Sequence, residues 1–557
     1  MAFEHATLPS DEKKSGPAPG ALPSDRFRDL PKDRYDVIVV GAGTGGLTAA
    51  ALLVRHGYSV LVLDRHTVAG GNATVFQRPG YEFDIGLHYL GECHPGGSIP
   101  RILHAAGIDD LLFRELDPEG FDTLVFPDFT FRVPKGIAQY RKRLIDLFPR
   151  ESEGIDRYLD MLKAIASLQT VGNRGLGPAA KALWQARPAY RYLHATLETL
   201  LEECTSDRKL RAVLSAQSGL YAEPPSRASV VAHATILFSY LSGAYYPAGG
   251  TQVISNRLAD VIEKNGGKIL LGSPVRRILV ENGHAVGVEF ENKHLGHRTI
   301  RAPFIVSNAD LKETMLELVG PDHLKPATVD RVASYEMAPP LGIIFLGIRR
   351  DLKAEGVPNT NFWVHPSYDQ EPVYAEARAG RFHPEPFCYI SIASLKDPDN
   401  PRSAPPGFSN IELMTVVPSQ PEAWGITPEE IQDGTYRKNF AYRRIKEEFS
   451  ARLIGVAERA FPNLGKEIAY REIATPITHT RFTASTGGTG YGIGAIPSQL
   501  LFRRPAQTTE IKGLFLCGAS TLTGHGILGV IWSGVMVAAK MTGWELLKEI
   551  RGEQPAA

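Results

Sequence analysis

The apolar residues of this chain fall in short runs, and the most informative run begins after Tyr35. Val37-Ile38-Val39-Val40 is β-branched and unbroken by polar residues, the pattern of a buried strand. It passes directly into Gly41-Ala42-Gly43-Thr44-Gly45-Gly46, and Leu47 to His56 has helical composition. Gly57 is placed to end that helix in the left-handed conformation, and Ser59-Val60-Leu61-Val62-Leu63 predicts a second strand ending at Asp64. Farther along, Leu341 to Gly347, Phe387 to Ile392 and Ile411 to Val417 read as buried strands, whereas residues 151–240, including Val230 to Tyr240, are largely helical in pattern. No internal repeat is visible.

The strand, glycine turn, helix and second strand together form a dinucleotide-binding pattern. Gly41 makes the tight turn, Gly43 lets the backbone approach a pyrophosphate, and Gly46 lets helix and strand pack closely. The helix then offers free N–H groups and the positive end of its dipole to phosphates. Asp64 follows Gly46 by 64 − 46 = 18 residues, near the ~20 expected before a ribose-binding carboxylate.

Composition narrows the rest. The chain has 557 residues, 43% of them hydrophobic and 22% charged, which fits a folded protein of two or three domains. Lys plus Arg and Asp plus Glu both number 61, so no charge excess points to nucleic acid. Four scattered cysteines make no disulfide framework and no metal-ligand spacing, and no metal is expected. A reducing, cytoplasmic compartment fits them. The first 33 residues read as a solvated tail without the apolar core of a secretory signal. The longest apolar stretch, Ile527 to Ala539, is broken by Gly529, Ser533 and Gly534 and is too short to span a membrane.

Beyond Asp64, Gly70-Gly71-Asn72 and Phe83-Asp84-Ile85-Gly86-Leu87-His88 resemble the flavin-dependent amine oxidase and phytoene desaturase superfamily, as do Pro274-Val275, Gly513 to Ala519 and Gly524-His525-Gly526-Ile527-Leu528-Gly529. Gly243-Ala244-Tyr245-Tyr246-Pro247, Ser394 to Pro398, Ala404 to Gly407, and Thr475-Pro476 before Gly487-Gly488 are similar to the branch holding phytoene desaturases, carotenoid cis-trans isomerases and retinol saturases. The resemblance implies FAD, held by Gly41, Gly43, Thr44, Gly46, Asp64, Arg65, Gly70, Gly71, Asn72, Gly86, Val275, Gly518, Gly526, Ile527 and Leu528. The sequence departs from the common pattern in carrying Asp64 where many relatives have Glu and Ala519 where many have Asp.

The implied architecture is mixed α/β. A discontinuous Rossmann-like FAD domain is expected over 34–100, 245–320 and 470–550, and a substrate domain of mixed sheet and helical cap over 101–244 and 321–469. The implied activity is hydride transfer at a C–C or C=C bond of an apolar polyene or unsaturated lipid. His88, His525 and Tyr245 are the candidates to give or take the accompanying proton, the alternative for each being a hydrogen-bonded place in the pocket wall. Glu223 and Arg227 are weaker candidates for positioning substrate.

Two other activities stay open on this fold, a redox-neutral cis-trans isomerase and a flavin-free prenyl-lipid carrier. An amine oxidase is disfavoured by the branch segments. Gly490 to Gly494 has the wrong spacing for a second nucleotide fingerprint, so the electron donor or acceptor is left open. An apolar substrate has to be drawn from a membrane or carrier, and residues 177–201 mix Trp184, Tyr190 and Tyr192 with Lys181, Arg187 and Arg191 like an interfacial helix, interrupted by Pro188. Peripheral membrane contact is the corresponding expectation.

Overall fold

The computed structural model describes residues 32–169, 184 and 186–551, so nearly all of the expected tail lies outside the described residues, as do 177–183 and 185 of the expected interfacial helix. Five parallel strands form one sheet in the order Leu514–Leu516, Phe304–Ser307, Val37–Val40, Val60–Leu63, Lys268–Leu270. Its strands thus come from three separate stretches of chain.

Side chains alternate across a strand, and here both faces are covered. Val37, Val39, Val60 and Val62 pack among the residues of helices Thr44–Arg55 and Gly526–Thr542. Ile38, Val40, Leu61 and Leu63 pack beneath the antiparallel strands Val275–Glu281, His284–Asn292 and Gly296–Arg301. Burial on both faces is why these strands read as unbroken apolar runs.

A second sheet has seven strands in the order Ile468–Ala474, Leu341–Ile348, Ser409–Val416, Cys388–Ser391, Asn361–Val364, Asp122–Val125, Thr130–Val133. All neighbours are antiparallel except Asn361–Val364 with Asp122–Val125. One face carries Ile344, Leu346, Ile390, Ile411 and Leu413 against helix Phe440–Ala457. The other carries Trp363, Tyr389 and Met414 toward the helices Ser152–Gln169, Leu197–Cys204, Arg208–Ser215 and Val230–Leu241. The boundary expected at 470 falls inside Ile468–Ala474, a strand of this second sheet.

Among the described residues, 186–204 do not form one amphipathic helix. Arg187–Tyr192 is a short 3-10 turn with Pro188 in its first turn. Thr196 then caps a new helix, its hydroxyl accepting the Thr199 N–H at 3.4 Å. Tyr192, Leu197 and Leu200 are buried, while Trp184 and Tyr190 are exposed. No described helix is long and apolar enough to cross a membrane.

Candidate active site

The glycine turn has no room for side chains. Gly41 sits at φ +100°, and a Cβ on Gly43 would lie 2.7 Å from Asn308 Nδ2. On Gly46 it would run into the Gly41 carbonyl oxygen and lie 3.1 Å from Val39 Cγ1. Asp64 ties the turn to the end of the second strand: its carboxylate accepts the Ala42 N–H at 2.6 Å and the His66 N–H at 2.7 Å. Burial nonetheless pushes the Asp64 carboxyl upward. The next glycine pair closes over the same turn, with Gly70 N–H donating to the Ala42 carbonyl at 2.7 Å and Gly71 against Gly43.

At the other end of the chain, Gly518, at φ +96°, turns the edge strand toward helix Gly526–Thr542, and its N–H donates to Ser533 Oγ at 2.6 Å. His525 is the N-cap of that helix. The helix crosses helix Thr44–Arg55 at Gly45 and Gly534, where a Cβ on Gly534 would meet the Gly45 carbonyl and lie 2.9 Å from Ala49 N. In the sequence Gly534 shows only as an interruption of an apolar run. Asn72 bridges to a residue that carries no sequence signal: its Oδ1 meets His479 Nε2 at 2.7 Å, and burial pushes the His479 imidazole down to about 4.

One cavity of about 1900 Å³ joins these features, roughly twice the upper end of the ~300–1,000 Å³ of an ordinary ligand pocket. Gly41, Gly43, Thr44, Asp64, Arg65, Gly70, Gly71, Asn72, Gly86, Val275, Gly518, Gly526, Ile527 and Leu528 all line it. Gly46 lies behind the turn, where its missing side chain acts on packing. One part of the remaining wall is aromatic and aliphatic, with Tyr89, Val231, Ile236, Tyr240, Trp363 and Tyr389, and another part is charged, with Arg437, Arg443, Lys446, Glu447, Glu472 and Arg481.

His88 lines the cavity, and its Nδ1 lies 3.1 Å from Glu412 Oε2. The contact orients the imidazole ring, the Nδ1 proton being assigned to it. Glu412 also accepts the Asp84 N–H at 2.8 Å. Asp84 in turn receives the hydroxyls of Tyr246 at 2.7 Å and Thr251 at 2.6 Å. Burial and the Glu412 charge push Asp84 up, and burial pushes Lys396 down. Lys396 donates to the His88 carbonyl at 2.8 Å and to Ser391 Oγ at 2.7 Å. Asp84, His88 and Glu412 each bring a ligand atom within 4.8 Å of the others, the spacing of a metal site. Both Asp84 oxygens are already engaged, and Lys396 supplies a positive charge.

His525 also lines the cavity, but burial and the nearby Arg504 push its imidazole down to about 3, so it stays neutral. Tyr245 does not line it. Its hydroxyl donates to Glu115 at 3.1 Å, whereas that of the next residue, Tyr246, reaches Asp84. Alternation along strand Tyr245–Pro247 turns the two rings to opposite sides, which removes Tyr245 from the proton-transfer candidates. Glu223 is buried in an ion cluster with Arg378 and Arg227, and neither Glu223 nor Arg227 reaches the cavity wall.

Asp122 is a further buried carboxylate, accepting from Tyr89 Oη and Asn361 Nδ2 at 3.0 Å each and from Gln217. Through Tyr89, stacked on Tyr240 at 4.3 Å, it fixes part of the cavity wall. Burial raises its carboxyl from 3.8 to about 6. Between these values the folded protein keeps a proton that the unfolded chain has released, so this group's stabilisation is full below pH ~4 and is lost as pH rises through about 6. At ~1.4 kcal/mol per pH unit the loss is about 3 kcal/mol. Asp122→Asn should remove that slope, read as the difference between variant and wild-type urea midpoints at pH 4.5 and 6.5; equal slopes would contradict it.

The glycine turn, the carboxylate closing the second strand and the two helix N-termini fit a dinucleotide. The sequence pattern of the family described as flavin containing amine oxidoreductase matches residues 44–542. The chain belongs to this family. All-trans-retinol 13,14-reductase of Danio rerio is 29% identical over 513 residues, covering 88% of this chain and 83% of that protein. Prolycopene isomerase 1, chloroplastic, of an Oncidium hybrid cultivar is 28% identical, covering 91% of this chain and 84% of its own. The crystal structure of an oxidoreductase from Methanosarcina mazei shares the fold, with a TM-score of 0.60 at 19% identity over 90% of this chain and 99% of that one.

This member of the flavin-containing amine oxidoreductase family is an FAD-dependent oxidoreductase. Bound to the glycine turn and the facing helix ends, FAD supplies hydride acceptance and donation. The residues that would hold it are those of the glycine turn, Asp64 and the facing helix ends, and His88 lines the same cavity.

Proposed function

We propose that this oxidoreductase acts on a C–C or C=C bond of a long apolar polyene or unsaturated lipid, in the manner named for the retinol 13,14-reductases. The observation that carries the reading is the continuity of the cavity. The glycine turn and the aromatic wall line one space, which is large enough for a dinucleotide and a slender apolar chain side by side. Saturating a double bond also needs a proton at the second carbon, and this reading assigns its delivery to His88, whose ring is oriented by Glu412. His525, kept neutral, contributes to the wall and occupies the N-cap position of its helix without a side-chain capping bond.

The same reading includes loading from a lipid surface. Leu500, Leu501 and Leu522 line the cavity, and next to them Phe502 is 98% exposed and Arg503 is exposed. An apolar side chain beside a cation suits an anionic interface.

One experiment reads both parts. Holoenzyme incubated with polyene-loaded anionic liposomes and a chemical reductant is expected to float with the vesicles and to return product heavier by two hydrogens. An unchanged mass with altered retention would assign the isomerase activity instead. Unchanged substrate would remove the polyene reading, and protein left in the dense fraction would remove the membrane one.

A further inference from the structure

We propose that Arg504 is the buried counter-charge of reduced FAD, its guanidinium stabilising the negative charge that the isoalloxazine ring acquires with a hydride. The bound flavin is thereby a better hydride acceptor. The proposal uses the flavin alone and is independent of the polyene reading above.

Among the described residues two Lys or Arg side chains are buried, Lys396 and Arg504. Lys396 has Asp84 and Glu412 beside it. Arg504, 4% exposed, makes no ion pair: its Nη2 donates to the carbonyls of Ile493 at 3.1 Å and Ala519 at 2.8 Å, and its Nε is enclosed without a partner. Burial pulls the guanidinium down only to about 10, so it is charged at neutral pH. A buried charge without an opposite one is costly. The turn residue that Arg504 holds, Ala519, brings no carboxylate, so the anion comes with the ligand.

The order of strands decides which part of FAD lies near Arg504. Val37–Val40, whose turn takes the pyrophosphate, has Val60–Leu63 on one side, ending at Asp64, and Phe304–Ser307 and then Leu514–Leu516 on the other. With a ribose at Asp64, the other half of the dinucleotide runs toward Gly518, three strand spacings or about 14 Å away. Ala519 follows Gly518, and the Arg504 charge also acts on His525, the N-cap of helix Gly526–Thr542. Arg504, Ala519 and His525 all line the cavity. A fixed cation and the positive end of a helix dipole thus meet at the ring's half of the site, away from the phosphates. With Nε enclosed and Nη2 committed to carbonyls, Arg504 acts through its charge.

Hydride transfer breaks a C–H bond of the donor and forms an N–H bond at flavin N5. Both electrons enter the ring, which becomes an anion unless a proton follows. A cation nearby stabilises that anion and leaves the neutral oxidised ring unaffected.

Sulfite tests this without turnover, because it adds to N5 with its own electron pair and leaves the same negative charge on the ring. At an effective dielectric of about 20, a unit charge about 10 Å away changes an equilibrium constant by somewhat more than tenfold. Wild-type holoenzyme is therefore expected to bind sulfite about tenfold or more tightly than Arg504→Met holoenzyme, with a midpoint potential higher by about 30 mV per tenfold. Arg504→Lys, which keeps the charge, should lie closer to wild type than to Arg504→Met. Equal sulfite constants in wild type and Arg504→Met would overturn the proposal. So would a loss in Arg504→Lys as large as in Arg504→Met, since the bonds to the two carbonyls, and not the charge, would then be responsible. If Arg504→Met does not retain its flavin, wild type alone decides: sulfite bound no more tightly by holoenzyme than by free FAD overturns the assignment.

Discussion

Gly46→Ala is expected to yield a folded but largely colourless protein. The added methyl would run into the Gly41 carbonyl and stand 3.0 Å from Asn308 Cβ and 3.1 Å from Val39 Cγ1. None of these neighbours can yield. Gly41 is fixed by its N–H bond to Leu63 at 2.7 Å, Asn308 by its own to Val40 at 2.8 Å, and Val39 lies in the middle strand of a five-stranded sheet. Helix Thr44–Arg55 must tilt instead, and its first N–H groups move off the phosphates. A misplacement near 1 Å is enough for a loss on the order of 100-fold. Gly455→Ala is the matched control, because a Cβ there meets nothing within 4 Å. Flavin absorbance per protein, measured after gel filtration, separates the two. A Gly46→Ala protein that keeps stoichiometric FAD would show that the turn does not hold the cofactor.

The second large effect concerns the buried charges. Lys396→Met leaves Asp84 and Glu412 enclosed without their nearby cation, a change expected to cost about 3–5 kcal/mol. Lys396 is 1% exposed, so solvent cannot replace its charge. Adding Asp84→Asn removes one of the two carboxylates and should restore part of the loss, so the double variant should be more stable than the sum of the single effects. Urea midpoints of the three variants test this. A Lys396→Met loss below about 1 kcal/mol would mean that another cation neutralises the cluster, with Asp84, His88 and Glu412 as the groups to examine for it.

These two sites mark how far the sequence could be read. Gly41 to Gly46 and Asp64 are legible because the geometry they serve is local: one turn, one helix start and one neighbouring strand, all within about 30 residues. Strand Leu341–Ile348 is legible because burial leaves an almost unbroken apolar run, and Ser409–Val416 is legible through Ile411, Leu413, Met414 and Val416 although Glu412 is buried among them. The Asp84, His88, Lys396 and Glu412 cluster has no such signature. Its members lie on two strands, one helix and a loop, up to 328 positions apart, and only the pairing of Ser409–Val416 with its neighbours brings Glu412 to His88. Gly534 likewise acquires meaning only when helix Gly526–Thr542 crosses Gly45. Tyr245 misled because motif position does not reveal which side of a strand a residue faces, and its neighbour Tyr246 turned inward. The amphipathic reading of 177–201 failed across 186–204 because Pro188 and the Thr196 cap cut the segment into a turn and a new helix.

The five-stranded sheet also constrains how the chain is made. Val37–Val40 leaves the ribosome early, but its sheet is completed only by Leu514–Leu516, 514 − 40 = 474 residues later. At about 5–20 residues per second that interval is roughly half a minute to a minute and a half. Throughout it, the nascent domain exposes the parallel edge of Phe304–Ser307, or lacks that strand altogether, and an open edge is a template for pairing with other chains. A truncated product ending between Ser307 and Leu514 therefore carries the glycine turn without the edge strand that completes its sheet, and such fragments are natural clients for chaperones.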